Sequence, residues 1–111
     1  MAEKVTTVDQ MVQRITANFD PSKAAGVNAV FQFDITGEGG GKYYIAVADN
    51  QATLHEGEHA APTTTMIASA NDYMAITNGE LNAMTAFTMQ KLKIKGDMGM
   101  ALKFQQLFPQ G

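Results

Sequence analysis

The hydrophobic period of this chain changes from helical to alternating near residue 28, and back to helical near residue 69. A chain with both changes cannot be all helix or all sheet, because one face of a helix repeats every 3.6 residues and one face of a strand every two. In residues 7–19, Val8, Met11, Val12, Ile15 and Phe19 recur at helical spacing, with Asp9, Gln10, Gln13 and Arg14 on the other face. Thr7 and Gln10 form a capping box, and Asp20-Pro21 stops the helix, since a residue before proline is pushed out of the helical region. Residues 21–26 allow one further helical turn ending at Gly26.

From Asn28 onward Ala29, Phe31, Phe33 and Ile35 alternate with Val30, Gln32, Asp34 and Thr36, the pattern of a half-buried strand. The run GEGGG turns the chain, and Tyr43, Ile45 and Val47 return in a second strand. Asp49-Asn50-Gln51 turns again into a third strand over residues 52–55, so three short-linked strands form an antiparallel meander. A fourth strand, residues 63–68, is rich in β-branched residues. Ser69 caps a helix that runs to Asn78 and stops at Gly79, and Asn82 opens another to about Gln90. KLKIK at 91–95 reads as a fifth strand whose lysines guard an edge, and Gly96-Asp97 leads into a last helix ended by Pro109. The expected order is α-β-β-β-β-α-α-β-α.

Two features of the second half go beyond a plain core. Six of the eight methionines, Met66, Met74, Met84, Met89, Met98 and Met100, lie there. Methionine is unbranched and polarisable, and lines surfaces that adapt to varied shapes, although it also fills irregular cores. The last helix carries one apolar stripe of Met100, Ala101, Phe104, Leu107 and Phe108, and a second of Met98 and Leu102 roughly opposite. A small domain cannot easily bury both sides of a helix, so the second stripe is expected to face a cavity, with Phe104 and Leu107 holding the helix to the sheet.

Length and charge bound the remaining choices. The 111 residues suffice for one core, residues 1–111 being read as a single domain. There is no cysteine, which removes disulfides and thiolate chemistry and fits a reducing, cytoplasmic setting. The first residues lack the apolar stretch of a secretory signal, and no stretch is long enough to span a membrane. Residues 1–80 hold ten acidic against four basic residues, whereas residues 81–111 hold Lys91, Lys93, Lys95 and Lys103 against Asp97 alone. An acidic body argues against nucleic-acid binding, which needs a broad basic face. The basic end could touch an anionic lipid surface.

His55-Glu56-Gly57-Glu58-His59 is a literal H-E-x-x-H. Zinc hydrolysis with this motif needs both histidines on one face of a helix with the glutamate as base. Here it follows a strand and has glycine at its centre, so a polar connection is the simpler reading. A metal-dependent hydrolase using His55, Glu56 and His59 remains the enzymatic alternative. GEGGGK at 37–42 is no phosphate loop, because Thr36 stands where the first glycine is needed and Tyr43 replaces the required Ser/Thr. No serine or threonine sits in a recognisable arrangement with either histidine for nucleophilic catalysis.

Residues 66–108 resemble the sterol carrier protein 2 (SCP-2) lipid-transfer family. The resemblance is carried by Asn71-Asp72-Tyr73-Met74-Ala75, Gly79 with Leu81-Asn82, Thr85-Ala86-Phe87, and above all Lys91-Leu92-Lys93-Ile94-Lys95-Gly96-Asp97-Met98-Gly99, followed by Ala101-Leu102-Lys103 and Gln105. The first helix and the Phe31–Ile35 strand match in pattern. The family implies an α+β fold: a five-stranded, mostly antiparallel sheet covered on one face by helices and enclosing an apolar tunnel. It implies non-enzymatic binding and transfer of fatty acids, fatty acyl-CoA or sterol-like lipids, with no cofactor. The expected lining is Met66, Met74, Met84, Phe87, Met89, Gln90, Ile94, Met98, Leu102, Gln105 and Gln106. The family commonly shows Phe-Gln-Gly before the Lys-Leu-Lys block, where this chain has Thr88-Met89-Gln90. Some members end in a peroxisomal signal, which Pro109-Gln110-Gly111 does not match. An accessory domain with a merely filled core is the other alternative.

Overall fold

A computed structural model describes residues 4–109. The expectations for the two termini fall partly on residues 1–3 and 110–111, outside the described residues. The elements follow in the expected order: α1 (Val8–Ala17), β1 (Ala29–Thr36), β2 (Gly41–Ala48), β3 (Gln51–Glu56), β4 (Thr64–Ser69), α2 (Ala70–Thr77), α3 (Ala83–Thr88), β5 (Leu92–Gly96) and α4 (Met98–Leu107). A single 3-10 turn, Pro21–Lys23, follows α1.

Local chemistry accounts for most boundaries. Thr7 Oγ1 accepts from Gln10 N at 3.1 Å, but the Gln10 carboxamide turns to Thr6 N rather than to Thr7, so the box closes one residue early. Asp49 and Asn50 both take positive φ, as a two-residue hairpin turn between twisted strands requires. Ser69, Asn82 and Asp97 cap α2, α3 and α4 through their side chains. Both α2 and α3 end in Schellman motifs. Gly79 takes the left-handed position after α2, with Glu80 N donating to Ala75 O at 2.8 Å. After α3 the same position falls to Gln90, at φ 63°, with Lys91 N donating to Ala86 O at 2.8 Å.

The strands form one sheet in the order β3-β2-β1-β4-β5. The meander is antiparallel, as is β4 with β5, but β1 and β4 run parallel, which makes the sheet mixed. Residues 57–63 carry the chain back from the β3 edge to the far side of β1, held by Gly57 N to Lys42 O at 2.8 Å and Thr63 N to Val30 O at 2.9 Å. Gln32, on the β1 face that alternation turns away from Phe31 and Phe33, is 1% exposed and ties down this crossover. It donates to Tyr43 O and Gly57 O at 3.1 and 3.2 Å and accepts from His59 N at 2.9 Å. A buried carboxamide is tolerated there because its amide and carbonyl are both used.

The other face carries the core. Phe31 and Phe33 from the central strand meet Phe104, Phe108 and Tyr73 edge to face, with ring centroids 5.1–6.1 Å apart. Such pairs contribute roughly 0.5–1.5 kcal/mol each beyond area burial. Val8, Met11, Val12 and Ile15 of α1 are buried, and α1 lies beside α2 on the β3–β2 side of the sheet. α4 therefore covers the opposite, β4–β5 side of the sheet.

Candidate functional site

Phe104 packs α4 on Phe31 and Phe33 of the sheet and Leu107 is buried in the core, leaving a gap between α4, α3 and the β4–β5 edge. The gap is an open cleft of about 550 Å³, and its floor includes Met66 of β4 with Leu92 and Ile94 of β5. Leu81, Asn82 and Met84 wall it on one side, and Ala101, Phe104 and Gln105 of α4 on the other. A smaller apolar recess of about 110 Å³ shares Met84, Ile94 and Gln105, and adds Phe87, Met98 and Leu102. A shallow depression of about 500 Å³ between the end of α3 and β5 is lined by Phe87, Gln90 and Lys93.

Eight of the eleven residues expected from the sequence stand on these walls: Met66, Met84, Phe87, Gln90, Ile94, Met98, Leu102 and Gln105. Met74 is instead packed half-buried against the core from α2. Met89, the exposed residue after α3, and Gln106, exposed on α4, stand away from the walls. Wall residues absent from that expectation include Tyr73, Leu92 and Phe104. Tyr73 had a readable signal, since Ala70, Tyr73 and Thr77 are buried together at helical spacing on α2. The large apolar side chains most exposed among the described residues, Met84, Phe87, Met89, Met98 and Leu102, all belong to α3, its end, and α4.

The second stripe of α4 is thus real but wet: Leu102 is 60% and Met98 46% exposed, whereas Phe104 and Leu107 are buried. Of the four lysines, Lys91, Lys93 and Lys95 are exposed on or beside the edge strand β5, and Lys103 is half-buried on α4.

The H-E-x-x-H run lies elsewhere. His55 and Glu56 are in strand β3, and His59 is in the crossover. The His55 ring stacks on Tyr44 at 4.8 Å and that of His59 meets Tyr44 edge-on at 5.1 Å, while His59 Nδ1 accepts from Ala61 N at 3.0 Å. The two rings flank a tyrosine on a strand and a loop, not one helical face. Among the described residues no three His, Cys, Asp or Glu side chains are grouped to hold a metal ion.

A helix layer on one face of a mixed five-stranded sheet, with an apolar cleft under the last helix, defines an α+β class that known proteins share. The chain belongs to the SCP-2 sterol transfer family, whose model matches residues 8–109. It is 32% identical over 83 residues to hydroxysteroid dehydrogenase-like protein 2 of Bos taurus, covering 74% of this chain and 20% of that one. The mouse (Mus musculus) protein of the same name is 26% identical over 104 residues, covering 93% and 21%. The chain therefore spans about a fifth of the length of these curated relatives. Among solved structures, palmitated SCP2L2 from Aedes aegypti superposes with a TM-score of 0.78 at 26% identity, covering 94% of this chain and 96% of that one. The sec-alkylsulfatase Pisa1 from Pseudomonas sp. shares the fold over 93% of this chain and 16% of its own, with a TM-score of 0.79 at 17% identity. No helix among the described residues is long and apolar enough to cross a membrane.

Proposed function

We propose that this chain binds a long-chain lipid in the cleft under α4 and passes it to and from membranes without chemistry on it. The observation that carries the reading is the grouping of exposed apolar side chains. Met84, Phe87, Met98 and Leu102 all surround one concave apolar recess, in a molecule whose other large apolar residues are mostly covered. Exposed apolar area of this kind marks a binding site rather than a defect of packing. Family membership and the likeness to a palmitated Aedes aegypti protein support the same reading.

Fatty acid, fatty acyl-CoA and sterol-like lipids are the proposed ligands, with Met66, Met84, Phe87, Ile94, Met98 and Leu102 against the apolar part. Burial stabilises a chain by about 0.8 kcal/mol per CH₂, so shape and length weigh more than any named contact. Closure of the open cleft into a tunnel around the ligand belongs to this proposal. So does transient docking of the lysine-bearing β5 edge on an anionic membrane, in a cytoplasmic setting. Titration with a fluorescent fatty acid is expected to saturate at about one molecule per chain, because one cleft serves one ligand. Absence of saturable binding for any long-chain lipid would overturn the proposal.

The lengths of the relatives favour one further reading. A unit spanning about a fifth of a longer protein could serve as an accessory module that holds an apolar substrate for a neighbouring domain. Both readings need the cleft to bind lipid, and they part on whether the isolated chain accelerates lipid exchange between vesicles.

A further inference from the structure

The walls of the main cleft contain no Asp, Glu, Lys, Arg or His among the described residues. Polar side chains there are few: Asn82, Gln105 and Tyr73. Asn82 and Gln105 are exposed and so belong to the rim, and the Asn82 carboxamide oxygen is already used in capping α3. Tyr73 differs. It is 3% exposed, its ring is held edge-on by Phe33 at 5.7 Å, and its hydroxyl lies 3.6 Å from Met66 Sδ. Met66 is itself a wall residue, so this contact sits where two parts of the wall meet. A thioether is a weak acceptor, and a buried phenol with no better partner among the described residues leaves most of its donor capacity unused.

Resting on the lipid-binding reading above, we propose that the Tyr73 hydroxyl is the inner polar contact of the cleft, donating to an uncharged oxygen at the buried end of the ligand. A ketone, ether, ester or hydroxyl oxygen in place of the thioether gives the phenol a full hydrogen bond. An ionised carboxylate gains the same bond but is stripped of water with no cation in the wall, which disfavours it strongly. Burial holds the phenol in its protonated, donating form. The cleft therefore sorts lipids by end. Neutral oxygen functions enter inward to Tyr73, and fatty acids enter methyl end first with the carboxylate left at the rim.

The test is displacement of a bound fluorescent fatty acid, cis-parinaric acid, by 2-heptadecanone, by heptadecane and by palmitate. Wild type is expected to give a ketone-to-alkane affinity ratio about tenfold above that of Tyr73→Phe, the value of one buried hydrogen bond, because the ketone's own desolvation is common to both. Tyr73→Phe keeps the ring and is expected to leave palmitate binding within about twofold. Met66→Leu removes the competing thioether and is expected to raise the ketone-to-alkane ratio, and a fall in that ratio overturns the inference, so the idea stays testable if Tyr73→Phe folds poorly. The carbonyl stretch of bound 2-heptadecanone should fall to lower frequency in wild type and in Met66→Leu, and recover in Tyr73→Phe. An unchanged ketone-to-alkane ratio in Tyr73→Phe, or equal loss of ketone and palmitate, overturns the inference while lipid binding stands. Failure of cis-parinaric acid to bind the wild-type chain at all sinks both.

Discussion

Gly96 ends β5 at φ 92°, and a Cβ added there would lie 2.5 Å from the carbonyl oxygen of Thr63. The backbone on both sides is fixed: Asp97 N donates to Thr63 O at 3.0 Å, and Thr64 Oγ1 donates to Asp97 O at 2.8 Å. Gly96→Ala thus meets strain and a clash with backbone that cannot turn aside, and is expected to lower stability by about 2 kcal/mol or more in urea denaturation. Gln90 shows the converse. It holds a left-handed position that glycine adopts without strain, so Gln90→Gly is expected to raise the urea midpoint, worth about 0.5–1 kcal/mol. Tyr73 sets a pH limit. Its folded-state phenol is raised by burial above the ordinary value of 10.0, so the folded form keeps a proton that the unfolded chain releases. That contribution is complete below pH 10 and is lost as pH rises towards the folded value. Tyr73→Phe should flatten the alkaline fall of stability, leaving the smaller part due to Tyr43, also raised by partial burial.

Among the elements, α4 does two jobs with two sides. Phe104 is buried against Phe31 at 5.1 Å, Phe33 at 5.7 Å and Phe108 at 4.9 Å. Phe104→Ala removes the key of this cluster and is expected to cost about 3–5 kcal/mol by thermal or chemical denaturation. Leu102 lies on the other side, at the recess, and is mostly exposed. Leu102→Ala should cost less than about 1 kcal/mol in the lipid-free chain, because little packing is lost. Leu102→Trp puts bulk at a recess of about 110 Å³, so on the proposed function it should weaken long-chain lipid binding with little change in melting temperature. A large loss of stability with undiminished binding by the folded fraction would assign Leu102 to the core instead.

At the scale of the molecule, charge and grease point the same way. The formal net charge is −3, yet residues 81–111 carry four lysines against Asp97 alone. This same stretch holds Met84, Phe87, Met89, Met98 and Leu102, the exposed apolar side chains. On the proposed docking, an anionic bilayer attracts the β5–α4 end and repels the acidic remainder, turning the cleft towards the lipid. Juxtaposed lysines contribute about 1 kcal/mol each at such a surface, and salt screens them within a Debye length of about 8–10 Å. Reversing Lys91, Lys93 and Lys95 to glutamate should abolish co-sedimentation with anionic vesicles while leaving fatty-acid titration in solution unchanged. Equal co-sedimentation of this variant, or of wild type with neutral vesicles, would remove the lysines from the account.

The order of the helices and strands was legible because its signals are local: a change of period at Asn28, caps at Thr7, Ser69, Asn82 and Asp97, and turns at Asp49-Asn50 and Gly79. Each is decided within a few residues of chain, by backbone sterics and by which side chain can reach an unpaired N–H. The two-sided character of α4 was legible for the same reason, since 3.6 residues per turn decides which side chains share a face. Which face meets what depends on strand order, and that is a choice between distant segments. The parallel pairing of β1 with β4 came from no local signal, and it buries Gln32 beneath the crossover and sets Met66 beside Ile94 in the cleft floor. Met74 and Gln106 have the composition of cleft residues and lie outside its walls, whereas Tyr73 entered the sequence reading only as one letter of a family motif. Sequence by itself therefore determined the elements, their caps and the family, because those are written in neighbouring residues. Tertiary structure alone decided the walls of the cleft and the burial of Tyr73 among them, because burial belongs to the packing of elements far apart in the chain.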